Sequence, residues 1–506
     1  MSELNEDQKR MAETLDGMLV VDAGPGTGKT KTIVDRYINL ISQEEVSPTD
    51  VLLLTFTRNA AEEMKTRIMG ALTALCDDGD GGDEWLSKSR LVRVQTFDSF
   101  CLSIVMDSPD LATSMFGIEE KLTHSVKMEP NEAVSRQRFL AFLDGFIQDN
   151  LNAYGRWTAV ANEFKDDLYD LINCLLTKGI YPLSNGWFGG RNGNELLGSP
   201  DSVYALMQSM NEMGSRGGNS PMRASVNDAI NDTSGYSRLP SYFDKESKTV
   251  PDQMLRDVAY ENRDSLIAFV HDVYHAYIRE CVVRDCLTFG IASMMAFSVL
   301  YNNKAVRERN RFKYIMIDEF QDTNAAQIMM SLMILEKPNL CVVGDWKQGI
   351  YGFRHVSIEF IRDFTNKVNE IREQLNEDGI ERVLFEIPEP RMIPFTFNYR
   401  SSQLIIDHAF NSLNLKATKD EKLDEGELHP KATLLKSMGD SMYSDATEVR
   451  FVQAPEKTLE TDAVERCIRE YMSPDKYPVR SMKDGRIEER GMKLGDIAVL
   501  CRTVKG

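Results

Sequence analysis

The sequence predicts an α/β protein: a doubly wound parallel sheet carrying a phosphate loop, a mainly helical insertion, and a second, incomplete α/β unit. Three observations point there. A short apolar segment, Met18 to Val21, runs into a glycine loop and then a helical stretch, Lys31 to Ile41, the strand–loop–helix order of a phosphate-binding unit. Another apolar segment, Tyr314 to Ile317, ends abruptly in Asp318 and Glu319. It reads as a strand buried on both faces that delivers two carboxylates at its C-terminal edge, where open α/β sheets bind ligands. Strands and helices alternate to about residue 110, the rhythm breaks, and it resumes at Lys313, as in a parallel sheet with an insertion.

Size and charge narrow the class. A chain of 506 residues exceeds one ordinary core, so about two to four domains are expected. At 42% hydrophobic and 27% charged it is globular rather than disordered. No apolar run approaches bilayer length, and the polar, acidic start MSELNEDQKR is neither signal nor transit peptide. A cytoplasmic protein without a membrane partner is expected. The net charge of −19 argues against coating of nucleic acid by phosphate neutralisation, while leaving room for a local stacking platform for single strands. The eight cysteines are scattered and none forms CxxC, so reduced structural thiols are expected. His271 and His275 are four apart without the acid of an HExxH pattern; they read as a helix face.

In order, Glu6 to Leu15 reads as a helix, and Met18 to Val21 as the first strand. The loop is Ala23-Gly24-Pro25-Gly26-Thr27-Gly28-Lys29-Thr30. Its glycines let backbone N–H groups turn inward around phosphate oxygens, aided by the helix N-terminus. Lys29 reaches the β- and γ-phosphates in such loops, and the hydroxyl of Thr30 binds Mg²⁺. Val51 to Phe56 is a second buried strand and Asn59 to Ala74 an amphipathic helix. Asp77 to Asp83, acidic and glycine-rich, reads as a surface loop. A third strand, Leu91 to Gln95, leads into Thr96-Phe97-Asp98 and another helix.

From Leu111 to Leu300 helices alternate with irregular stretches, and Pro182 to Pro251 reads as one long Gly/Ser/Asn-rich loop. Leu340 to Val343 is the next strand, followed by Gly344-Asp345. Phe395 to Arg400 precedes a helix from Ser401, and Lys416 to Ala446 is loop-like. Strand Val449 to Val452, helix Thr458 to Tyr471 and strand Asp496 to Leu500 follow. The expected domains are 1–110 with 300–355, an inserted helical domain 111–299, and a partial second α/β domain 356–506. Adjacent carboxylates such as Asp318 and Glu319 suit one job: one holds a metal ion, the other orients a water for attack on phosphate.

Taken together, these residues resemble a superfamily 1 helicase of the UvrD/Rep/PcrA type, with the RecB/AddA branch next. Leu4-Asn5-x-x-Gln8, AGPGTGKT, LLLTFTRNAAEEM, VQTFDSF, IDEFQDT, VVGDWKQGIYGFR and NYRSS match the family's motifs in order, and GDIAVLCRT resembles the strand that follows. The resemblance implies two RecA-like domains, ATP and Mg²⁺ as cofactors, and single-stranded or tailed duplex DNA as partner, in repair or recombination. It assigns Gln8 to the adenine edge, Tyr399 to stacking on the base, and Lys29 and Arg400 to the γ-phosphate. It also assigns Asp318 with Thr30 to Mg²⁺, Glu319 to water activation and Gln348 to sensing the γ-phosphate. Phe56, Thr57, Thr96, Phe97, Tyr351, Phe353 and Arg354 become candidate DNA contacts. The aromatics suit core packing equally, and Tyr351 is expected to be structural.

Departures accompany the match. Trp346 and Lys347 stand where acidic or small residues are usual, Gly349 where Ser is usual, and Asp98 where the UvrD type favours His. An acid at 98 repels a phosphate. The family continues with a second insertion and motifs that supply another arginine; none follows Arg502 here, so a protein carrying the C-terminal helicase half is an expected partner. The rival reading is a nucleotide-dependent DNA-binding switch that needs such a partner for turnover.

Overall fold

The computed structural model describes residues 4–43, 45–77, 82–190, 198–215, 251–345, 348, 364–413, 435–438, 449–450, 452, 460–472, 478–483 and 486–500. Its centre is a six-stranded sheet of β1 (Leu19–Ala23), β2 (Val51–Thr55), β3 (Arg93–Thr96), β6 (Tyr314–Ile317), β7 (Leu340–Gly344) and β8 (Arg391–Phe395), while β4 (Lys127–Met128) and β5 (Cys286–Leu287) pair with each other outside it. The spatial order is β3-β2-β6-β7-β1-β8 and every pairing is parallel. Side chains alternate across each strand, which divides the sheet's residues between two cores. Val20, Leu52, Leu54, Ile315, Ile317 and Val342 face one side; Leu19, Val21, Leu53, Met316, Cys341, Val343 and Ile393 face the other. Strands apolar at every position form here because both faces are covered.

Three helices cover the second face: α1 (Glu6–Glu13), α2 (Lys29–Ile41) and α3 (Arg58–Asp77). Ile33, Tyr37 and Leu40 of α2 and Met64, Ile68 and Leu72 of α3 lie three or four apart and are buried in that core, the spacing of one helix stripe. Each such side chain contributes about 1.5–3 kcal/mol of burial. The glycine-rich stretch expected as a loop from Asp77 contributes α4 (Gly82–Ser89); residues 78–81 lie outside the described residues.

The other face is covered by α5 (Phe97–Asp107) and by helices Phe289–Asn302 and Ala325–Met333. Phe289–Asn302 is apolar almost all round because α5, Ala325–Met333 and the insertion surround it. Helices Glu132–Asp149, Lys165–Thr177 and Arg263–Val283 of the insertion join the same buried cluster. Phe139 meets Tyr277 edge-on at 4.9 Å between ring centroids and Tyr169 at 5.3 Å, geometries favoured by the aromatic quadrupole. His271 contacts the carbonyls of Leu183 and Gly186, each at 2.9 Å, and His275 that of Phe116 at 2.7 Å. Within the long stretch read as loop, Pro200–Ser215 is a helix, while 191–197 and 216–250 lie outside the described residues.

Strand β8 differs from the sequence reading. The sequence pattern places residues 391–395 in the second domain, yet Leu19 to Ala23 of β1 pair in register with Arg391 to Phe395. The first sheet therefore extends past the boundary drawn at 355. Its sixth strand comes nearly fifty residues after β7, carries Pro394 and buries only Ile393 and Phe395, the habit of an edge strand. Beyond it, β9 (Phe397–Asn398) pairs with β10 (Lys436–Ser437), and helices Gln403–Leu413 and Glu460–Tyr471 follow. A hairpin, β11 (Pro478–Lys483) with β12 (Arg486–Gly491), was not anticipated. The strand expected over Asp496 to Leu500 is not formed: Leu494–Asp496 is a 3₁₀ turn, and Leu500 is 93% exposed. Asp496 accepts from the Lys493 N–H at 2.7 Å and from Arg490 at 2.6 Å, local bonds that compete with extended structure. Phe451, within the strand expected over Val449 to Val452, lies outside the described residues. Among the described residues no helix is long and apolar enough to cross a membrane.

Candidate functional site

The loop after β1 lies at the C-terminal edge of the sheet. Gly26 (φ +71°) and Gly28 (φ +85°) hold left-handed backbone that only glycine adopts without cost. Space is tight as well: a methyl group at Gly26 would sit 2.6 Å from Arg400 Cβ, and one at Gly28 would displace the Gln8 side-chain tip, 2.6 Å away at Nε2. The Thr27 hydroxyl donates to the Gly24 carbonyl at 2.7 Å. Lys29 and Thr30 open α2 directly behind this loop, so unpaired helix N–H groups face the cradle.

Gln8 reaches the loop from α1. Its Nε2 donates to the Thr27 carbonyl at 2.9 Å and its Oε1 accepts from the Asn5 N–H at 3.0 Å, while Asn5 Oδ1 accepts from the Gln8 N–H. Asn5-x-x-Gln8 is thus a capping box. The buried Arg36 guanidinium of α2 grips the other end of α1, at the carbonyls of Met11 (2.8 Å), Thr14 and Leu15 (2.9 Å). The glutamine is held at both ends of its helix.

The two acids of β6 have separate environments. Asp318 is 7% exposed, and its Oδ1 is buried with no hydrogen-bond partner. Burial, reinforced by the neighbouring Glu319 and opposed by Lys29, pushes its carboxyl up to about 6. A buried carboxylate oxygen without a donor fits a hard cation, which takes oxygen ligands, and with the Thr30 hydroxyl it forms the donor set that could hold one. Glu319 has left-handed backbone (φ +52°, ψ +48°), an uncommon state for a residue with a side chain. Its Oε2 accepts from Lys29 Nζ at 2.9 Å and Gln321 Nε2 at 2.8 Å. The Gln321 Oε1 accepts in turn from the Asp345 N–H at 2.9 Å, and Asp345 Oδ2 accepts from Gln348 Nε2 at 2.9 Å. Side-chain bonds therefore connect residues 29, 319, 321, 345 and 348.

Tyr399 and Arg400 close the cradle. The Tyr399 N–H donates to the Gly26 carbonyl at 2.7 Å, and its hydroxyl accepts from Asn5 Nδ2 at 2.8 Å. Tyr399 as a whole is 45% exposed. Arg400 is exposed beside Gly26. Lys29, Asp318, Glu319, Gln348, Gln8, Tyr399 and Arg400 are thus brought to one edge of the sheet, from positions 8 to 400 of the chain.

The candidate nucleic-acid contacts divide. Phe56 is half-buried and Thr57 exposed after β2; the Thr57 hydroxyl accepts from the Ala60 N–H at 3.1 Å. Thr96 is buried and caps α5 through the Ser99 N–H at 3.1 Å. Phe97 is 6% exposed within the core, so its ring is not presented for stacking: as the first residue of α5 it faces the sheet. Tyr351, Phe353 and Arg354 lie outside the described residues. The sequence assigns no role to Gln321, Asn398, Asn5 or Arg36; Gln321 and Asn398 stand within the matching stretches IDEFQDT and NYRSS, Asn5 within the N-x-x-Q capping pattern, and Arg36 carries no signal.

Known proteins resemble this sequence. The model of the family described as UvrD/REP helicase N-terminal domain matches residues 4–369. The ATP-dependent DNA helicase PcrA of Staphylococcus aureus is 24% identical over 506 residues, covering 99% of this chain and 48% of that protein. The PcrA of Staphylococcus epidermidis is 23% identical over 503 residues with the same coverage. The chain spans about half the length of the curated relatives it matches. With a family match over well more than half of its length, this chain belongs to the UvrD/REP helicase family, through that family's N-terminal domain.

Proposed function

We propose that this chain is the nucleotide-hydrolysing core of an ATP-dependent DNA motor, with single-stranded DNA or the tail of a duplex as its track. The observation that carries the reading is the 2.9 Å contact between Lys29 of the phosphate loop and Glu319 at the end of β6, residues 290 positions apart. The naming of the relatives as ATP-dependent DNA helicases supports it.

The loop N–H groups and Lys29 bind the phosphates. Gln8 keeps one N–H on Nε2 and one lone pair on Oε1 beyond the bonds it already makes, a donor–acceptor pair suited to an adenine edge. Tyr399 offers its exposed ring to the base. Thr30 and Asp318 would hold Mg²⁺, which supplies charge neutralisation on the phosphate oxygens when bound. Lys29 leaves Glu319 for the phosphates, and the freed carboxylate orients the attacking water and takes its proton. Gln348 and Arg400 face the γ-phosphate, so hydrolysis changes contacts at both. A second RecA-like unit is proposed to follow β8 rather than residue 355, and its movement against the first is the stepping motion.

The test is ATP hydrolysis by the purified chain, with and without single-stranded DNA, beside Glu319→Gln. Removing a general base is expected to lower turnover roughly 10²–10⁴-fold with ATP still bound. DNA-independent hydrolysis that survives Glu319→Gln would sink the proposal. ATP binding without turnover in either protein would make the chain a switch.

A further inference from the structure

Asn398 has no part in the chemistry above, yet it touches three parts of the molecule. It is 2% exposed. Its Nδ2 donates to the Pro25 carbonyl of the phosphate loop at 2.6 Å. Its Oδ1 accepts from the Arg400 N–H at 2.8 Å and the Ser401 N–H at 2.7 Å. Its own carbonyl accepts from the Met438 N–H at 2.7 Å, joining β9 to β10. The loop and the arginine turn are already in contact around it: a methyl group on Gly26 would lie 3.0 Å from each amide atom of Asn398.

We propose that Asn398 is the positioning residue that sets Arg400 against the phosphate loop, so that the arginine stands beside Pro25 and Gly26 when phosphates enter. Only a primary amide fits the three bonds. Aspartate keeps both acceptor bonds to the turn but faces the Pro25 carbonyl with a second acceptor, and alanine makes none of them. A buried amide whose two ends bind two segments transmits position between them, because displacing either leaves a polar atom unpaired. The inference rests on the reading of Arg400 as a γ-phosphate contact.

The test compares ATP and ADP affinities of the full chain by competition with a fluorescent nucleotide. Arg400→Ala is expected to lower the preference for ATP over ADP about tenfold or more, the scale of one charge-assisted bond. Asn398→Ala should lower it to a similar extent. The double variant should lose no more than Arg400→Ala alone, since both act through one contact. Asn398→Asp, which keeps the turn capped, should show the same loss of preference with ADP still bound, its melting temperature lowered by the buried carboxylate that faces the Pro25 carbonyl. Equal losses of ATP and ADP affinity in Asn398→Ala, an unchanged preference, or additive losses in the double variant would overturn the inference. If Arg400→Ala itself leaves the preference unchanged, the underlying reading of Arg400 falls instead.

Discussion

Asp318 carries the largest electrostatic cost in the site. A carboxylate with a buried, unpartnered oxygen destabilises the fold when no cation offsets it, and replacing it with a neutral amide relieves that cost. Asp318→Asn is therefore expected to raise the melting temperature of chelator-treated protein at pH 8, by about 1–3 kcal/mol of stability. The same change should abolish the Mg²⁺-dependent part of ATP affinity. A variant that melts lower than the parent under chelation would contradict this account. Charged site residues were legible in the sequence because Lys29 closes a glycine loop and Asp318 and Glu319 stand at the sharp end of an apolar run. Gln321 and Asn398 were not, because an amide acquires its role from the groups that fold around it.

Elements meet so closely at the site that some glycines are fixed by space alone. A methyl group at Gly344, the last residue of β7, would lie 2.5 Å from Gln321 Oε1 and 3.1 Å from the backbone nitrogens of Phe320 and Gln321. Backbone cannot yield as a side-chain tip can, so Gly344→Ala is expected to cost about 1–3 kcal/mol, read by denaturant unfolding, and to slow ATP turnover by shifting Gln321 away from Glu319. A second brace sits after helix Phe364–Asn376. The buried Arg382 donates to Asp378 at 2.6 and 2.7 Å, donates to the Tyr301 carbonyl at 2.8 Å, and lies 3.5 Å from the Tyr301 ring centroid. Chiefly through its hydrogen bond to Arg382, the Asp378 carboxyl is held down at about 2. A depressed carboxylate stabilises the fold above its unfolded value, near 3.8, and loses that contribution as pH falls through about 2. Asp378→Asn should therefore melt several degrees below the parent at pH 7, with the gap narrowing from pH 4 downwards; a gap independent of pH would exclude the ion pair as its cause. Helix Pro200–Ser215 escaped the sequence reading because glycine- and asparagine-rich segments flank it, and Asp496 turned an apparent strand into a capped turn.

At the scale of the whole molecule, the sheet joins the first α/β segment to residues that follow the insertion and even the family match. A chain ending at residue 369, the limit of that match, would lack β8 and bare the hydrogen-bonding edge of β1. Such edges invite association between chains. The 1–369 fragment is expected to aggregate, and a 1–413 chain to remain monomeric by light scattering; equal behaviour would mean that β8 adds little. The doubly wound sheet was readable because buried strands followed by helices repeat at regular intervals. The sixth strand was not, since its short, half-exposed, proline-bearing sequence resembles a loop and its partner lies more than 360 residues earlier.

That separation also bears on how the protein is made. Strand β1 leaves the ribosome early, but its neighbours β7 and β8 are encoded more than 300 residues later. At about 5–20 residues per second of synthesis, both sides of an apolar nascent strand stay unsatisfied for on the order of tens of seconds. A trailing chaperone, or a pause after residue 400, would protect the newborn chain where its final architecture cannot.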